Sequence, residues 1–285
     1  MHLSDKALLV HLGVSEWVAK KLDKKASAEV ALANGAVSKA GRYNKSLLPT
    51  CDLLEAVKTK TSAIRAKFYR NTLPWGIEGT YILPSANYLA FMTEFRKEKS
   101  QWESLVNDFL AEYPQARADA QQMLAGLYNA KEYPSLGVLK KKFRMELSVL
   151  PVPTAGDFRV ELANEEFSSI QADVEKRVAA SSQAAMDDVW RRLYKKVEWL
   201  ADRLSKPENT FHDATYQDAR DTCAMLTRLN FTNDPDLETM RQEVEAKLVS
   251  HHPESLRNDP DLRNDTAAEC KAIMDKMGAF MGAAE

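Results

Sequence analysis

The sequence predicts a mostly α-helical fold: elongated helical arms carrying one β-hairpin, followed by a C-terminal helical module. Three observations predict it. From Asn164 to about Ser205 there is neither proline nor glycine, and Phe167, Ile170, Val174, Val178, Ala185, Val189, Leu193, Val197, Leu200 and Leu204 form one apolar stripe. Tyr88, Met92, Phe95, Trp102, Val106 and Phe109 recur in steps of four and three, a heptad seam broken only by Lys99. The pentad Asn-Asp-Pro-Asp-Leu occurs at 233–237 and again at 258–262, each time setting an aspartate before a proline as a helix start does.

Taken in order, Leu8–Val14 is a short apolar run expected as a strand. Glu16, Trp17, Leu22 and the neighbouring lysines predict an amphipathic helix from Ser15, which Asn34-Gly35 and Gly41 break; residues 36–48 are expected as a loop. Leu53, Val57, Ile64 and Phe68 predict a helix that begins around Pro49–Asp52 and runs to about Asn71, stopped by the proline and glycines of Leu73–Gly79. Tyr81–Leu83 is expected as an apolar link. Ser85 is the natural cap of the Tyr88–Phe109 helix, which is expected to end at Tyr113-Pro114 before a shorter helix from Gln115 to about Ala130.

Phe143–Leu150 and Phe158–Leu162 both alternate apolar and polar residues around a Pro/Gly connection, which predicts an antiparallel hairpin. Asn164 is the expected cap of the long helix, with Glu165 and Glu166 in its first turn. At ~1.5 Å per residue that helix spans about 60 Å, and it is expected to pack as an arm against the Tyr88–Phe109 helix. The division expected is an arm domain over 1–206 and a helical module over 207–285, begun by Tyr216, Ala219, Cys223, Leu226 and Leu229.

Composition narrows the function. The 285 residues are 45% hydrophobic and 28% charged, enough for a core and unlike a disordered chain. Lys+Arg 39 against Asp+Glu 41 gives a net charge of −2, so no global basic field draws in nucleic acid or anionic lipid. Cys51, Cys223 and Cys270 are odd in number and far apart, which fits a reducing cytoplasm and no disulfide framework. The longest apolar stretch, Ala7–Val14, is short and contains His11, so no membrane span is expected. Asp5 precedes it and no small-residue cleavage site follows, so no signal peptide is expected either.

Few residues suggest chemistry. Phosphate-binding glycine loops and a Gly-x-Ser-x-Gly elbow are absent from the sequence. His251-His252, with Glu254, Asp259 and Asp261 nearby, is the one dense set of potential metal ligands. Adjacent histidines diverge, however, and the aspartates serve better as caps, so no metal, cofactor or catalytic residue is assigned and a metal-dependent hydrolase is the weakest alternative. Cys51 lies near a helix start, but Asp52 and Glu55 oppose its ionisation. Trp190–Trp199 interleaves aromatics with Arg191, Arg192, Lys195 and Lys196, the mixture that nucleic-acid contacts use; the same four also read as a solvated helix face. Phe95, Trp102, Leu193 and Leu200 on the two seams, with Met274 and Met277 in a methionine-rich tail, are the candidate partner interface. Part of the longer seam is left over if the two pair, for a second chain or for the chain's own C-terminal module to cover.

Further segments stand out together: Val14-Ser-Glu-Trp17 with Lys-Lys-Leu22, Tyr133-Pro-Ser135, the Phe143–Pro153 segment and Phe158-Arg-Val160, and most specifically Leu229-Asn-Phe-Thr-Asn-Asp-Pro-Asp-Leu237, Pro253–Arg257 and Asn-Asp-Pro-Asp-Leu-Arg263. In these segments the chain resembles an uncharacterised family of phage, prophage and mobile-element proteins, domain of unknown function 3150. The resemblance implies a viral or mobile-element origin and an accessory role beside MoxR-type AAA+ ATPases and von Willebrand-type partners, and it brings no catalytic residues. The expected function is therefore non-catalytic: a cytoplasmic accessory protein that binds a host factor or an AAA+ ATPase, or self-associates, through its helical seams. A single-stranded nucleic-acid-binding recombination or replication accessory is the alternative.

Overall fold

The computed structural model describes residues 3–37, 39–154, 156, 164–206 and 213–282. The fold is largely helical, with a short antiparallel sheet and a C-terminal run of helices. Contacts divide it into two compact units: unit 1 holds residues to His11, Phe68–Met92 and Ser148 onward, and unit 2 holds Leu12–Lys67 and Thr93–Leu147. These units cut the chain differently from the expected 1–206 and 207–285 division.

Unit 1 begins with strand β1, Ala7–Ser15, as expected. The strands that join it are less expected. After helix α2, Asp52–Asn71, the short strand β4, Leu73–Pro74, turns back into β5, Tyr81–Pro84. Leu73 faces Ile82 and Pro74 faces Tyr81, while β5 pairs on its other side with β1, Leu9 opposite Ile82. So the chain has an antiparallel hairpin where the sequence suggested a helix stop and a link. Pro74 fits because β4 is an edge strand, where a missing N–H goes unnoticed. Gly79 turns the hairpin at φ +74°, and its carbonyl lies 2.7 Å from His11 Nδ1.

The predicted strand at 143–150 is present as β6, Arg144–Pro151, but it lies beside β1 at the other edge of the sheet. Its expected partner, Phe158–Leu162, lies outside the described residues.

Helix α5, Asn164–Ser205, runs unbroken for 42 residues, as its stripe predicts; the Asn164 side chain, expected as its cap, lies outside the described side chains. Its stripe does not wait for a partner. Helices α6, Asp213–Leu229, α7, Pro235–Val244, and α9, Pro260–Gly282, close over it, α9 being its main neighbour. Val189, Leu193, Val197 and Leu200 share one buried cluster with Cys223, Leu226, Leu237, Met240, Ile273 and Met277. The repeated pentads work as predicted. Asp234 Oδ1 accepts from the Asp236 and Leu237 amides, and Asp259 Oδ1 accepts from Asp261 and Leu262, with Pro235 and Pro260 opening the helices. Between them, α7 ends in a π-turn, Glu245–Val249, before the short helix α8, Pro253–Asn258. The Tyr216 hydroxyl donates to the Leu248 carbonyl and Arg220 to Val249 and His251, which satisfies carbonyls that the altered winding would strand.

Unit 2 starts differently from expectation. Residues 16–19 are not helical; β2, Lys20–Leu22, pairs with β3, Asn44–Ser46, inside the expected loop. Helix α1, Lys24–Ala33, begins later because Asp23 rather than Ser15 is the cap, accepting from the Ala26 amide. Helix α3, Ser85–Leu124, continues through Pro114 instead of stopping there, and a short helix, α4, Leu136–Lys140, follows it. Proline forfeits the bond to the carbonyl four residues back, but Phe109, Tyr113 and Ala120 are buried on both sides of it. The Tyr113 hydroxyl also donates to the Pro134 carbonyl at 2.9 Å. Within this unit the heptad seam meets α2: Trp102 Nε1 donates to Thr61 Oγ1 at 2.8 Å, and Lys67 bridges Glu94 and Glu98.

Candidate partner-binding groove

Helices α5 and α6 leave an open groove of about 520 Å³ on unit 1, closed at one end by the last turn of α2. Its floor is apolar: Trp199, Met225, Leu226 and Leu229, the two leucines fully buried. Its walls carry Tyr69, Arg70, Arg192, Lys195 and Lys196, against a single carboxylate, Asp218. Spacing explains the layout. Lys195 and Trp199 are four apart on α5, and Asp218, Thr222 and Met225 follow at four and three on α6, so each series lines one face.

The four cations singled out from the sequence do different things. Arg192 is a clamp: Nε binds Asp188 at 2.8 Å, Nη1 the Arg70 carbonyl at 3.0 Å and Nη2 the Thr72 carbonyl at 2.7 Å. It thus fastens the carbonyl end of α2, where a cation is favoured. Lys196 is paired with Asp218. Arg191 lies 3.6 Å from Asp188 and lines a separate recess with Trp190, Asp234 and Phe280. Lys195 is exposed and has no partner among the described residues. The Arg70 guanidinium is exposed and likewise unpaired among them. The run is therefore not one cationic face, and its free charge at the groove is Lys195 together with Arg70.

The candidate interface residues are mostly interior. Phe95, Trp102, Leu193, Leu200 and Met277 are buried within this one chain, and Met274 is partly buried against the same cluster as Met277. From Ala185 onward the chain's own C-terminal helices cover the α5 seam, one of the two covers expected for it. Tyr69, Arg70, Asp218, Thr222 and Met225 were not found from the sequence. A hint lay in the Trp190–Trp199 mixture, but Tyr69 and Arg70 reach it from more than 120 positions away.

The groove lining holds no cysteine, serine or histidine. Burial pushes the Cys223 thiol up to about 11 and the Cys270 thiol up to about 12, and it also raises Cys51, so all three are held as thiols. His252 accepts the Glu254 amide at the start of α8, and the His251 carbonyl accepts from Arg220. Among the described residues no three His, Cys, Asp or Glu side chains gather to hold a metal ion, and no helix is long and apolar enough to cross a membrane. No protein-family model, curated protein or solved structure matches the chain.

Proposed function

We propose that this chain is a non-catalytic accessory protein that works by binding a protein partner in the α5–α6 groove. One observation carries the proposal: two cations without a partner among the described residues, Lys195 and Arg70, line a groove with an apolar floor of Trp199, Met225 and Leu226. An apolar cleft with a few convergent polar groups is what recognition sites share. In the described lining the Thr222 hydroxyl is taken up by the Asp218 carbonyl and the Asp218 carboxylate by Lys196, which favours binding over catalysis. The resemblance to mobile-element proteins supplies the partner class to try first, an AAA+ ATPase or a host factor. The lining also sets two aromatic residues, Tyr69 and Trp199, among cations, a mixture that makes single-stranded nucleic acid the second reading.

A photo-cross-linking amino acid at position 69 or 225, in cells that express the AAA+ ATPase, tests both readings. The expected result is an adduct with the ATPase that protease destroys and nuclease does not. Combining Lys195→Glu with Arg70→Glu should cut its yield about tenfold, as for two reversed charge contacts. A nuclease-sensitive adduct in its place would overturn protein binding in favour of the second reading.

A further inference from the structure

We infer that the occupant of the groove is an acidic peptide segment bearing one large apolar side chain; this rests on the protein-binding reading above. The charge balance selects the sign. Four cations line the groove against one carboxylate, and Asp218 is already occupied by Lys196. A basic segment would therefore meet like charge with no free carboxylate to receive it, whereas glutamates or aspartates would find Lys195 and Arg70 unpaired among the described residues.

The floor selects the rest. Trp199 and Met225 are half-buried and lie over the closed bottom made by Leu226 and Leu229. The volume, about 520 Å³, admits a leucine or aromatic side chain with its flanking backbone. Methionine adapts to either shape. Trp199 offers one more contact. The indole N–H groups of Trp102 and Trp190 are bound by Thr61 and Asp234, but that of Trp199 has no acceptor among the described residues. A peptide carbonyl or carboxylate in the groove would supply one.

A run of phosphates fits less well. Neutralising a nucleic-acid backbone takes several contacts, and here two cations are free on a chain of net charge −2. Arg192 cannot be added to them, since its three hydrogen bonds hold the end of α2.

Fluorescence anisotropy with the full-length chain decides the question. Three labelled probes are compared: a short peptide with glutamates flanking a single phenylalanine, the same peptide with lysines for the glutamates, and a short oligothymidylate. The acidic peptide should bind at least about tenfold more tightly than the lysine peptide, and Lys195→Gln with Arg70→Gln should remove most of that preference. Met225→Ala should weaken binding of the acidic peptide without altering its salt dependence. Far-ultraviolet circular dichroism confirms that each variant is folded.

Equal affinity for the lysine peptide, tighter binding of the oligothymidylate, or variants that bind like the parent chain would each overturn the inference. Suppose the acidic peptide does not bind, yet the position-69 cross-linker still captures the ATPase. The peptide chemistry then falls while the protein-binding reading stands. If neither binds, both fall.

Discussion

The indole N–H of Trp190 donates to Asp234 Oδ2 at 3.0 Å, while Oδ1 of the same carboxylate caps α7. One side chain thus ties the middle of α5 to the start of a helix that follows it by about 44 positions. Asp234→Ala removes both functions and should cost about 2 kcal/mol, one part for the cap and one for the unpaired indole. Asp234→Asn keeps a capping oxygen and should cost about half as much. Urea denaturation of the two variants checks the ratio.

Leu193 and Leu200 lie fully inside the unit 1 cluster. Leu193→Glu or Leu200→Glu should therefore unfold unit 1. The loss should exceed about 4 kcal/mol, since a cavity and a buried carboxylate are added together. Loss of the cooperative transition in circular dichroism is the expected observation. A folded variant with unchanged midpoint would show that the seam is at the surface after all.

In unit 2, Lys45 is 4% exposed and bridges Asp23 and Glu132, each at 2.9 Å, with the Leu127 carbonyl as a third partner. Burial by itself would lower the Lys45 pKa, but the hydrogen bonds to both carboxylates outweigh it and raise the value above 10.5. Asp23 is held below 3.8 by the Ala26 amide first and by Lys45 second. The Asp23 contribution is complete above about pH 3.8 and fades as pH falls through the lower folded value; that of Lys45 is complete below about 10.5 and fades as pH rises through the higher one. Lys45→Met should lower stability near neutral pH and flatten its fall at both extremes. Thermal melts across the pH range measure it.

Pro114 interrupts the hydrogen-bond ladder of α3 without ending the helix. Pro114→Ala should restore one bond and stabilise the chain by about 1–3 kcal/mol, the scale of a proline's cost in a helix interior. A rise in the denaturation midpoint is expected. A fall would mean that the neighbouring packing depends on the bend proline imposes.

Much of the helical layout was legible because its signals are local. The caps at Asp234 and Asp259, the prolines after them and the bounds of α5 depend on atoms within one turn, so three or four residues suffice to specify them. Tyr81–Pro84 and Lys20–Leu22 were not legible as strands, because so short a segment is a strand only if another runs beside it, as β1 and β3 do here. Pro114 misled for the same reason: tertiary burial of Phe109, Tyr113 and Ala120 outweighs a local preference to stop.

The groove divides along the same line. From the sequence alone came the interleaved cations and aromatics of Trp190–Trp199 and the apolar stripe of α5. Tertiary structure alone decided that Arg192 is consumed at the end of α2, that Lys196 is consumed by Asp218, and that Lys195 is left free beside Arg70. The same packing laid α9 over Leu193 and Leu200. A charge or an apolar side chain becomes a site only when nothing in its own chain satisfies it, and that depends on partners that sequence distance does not reveal.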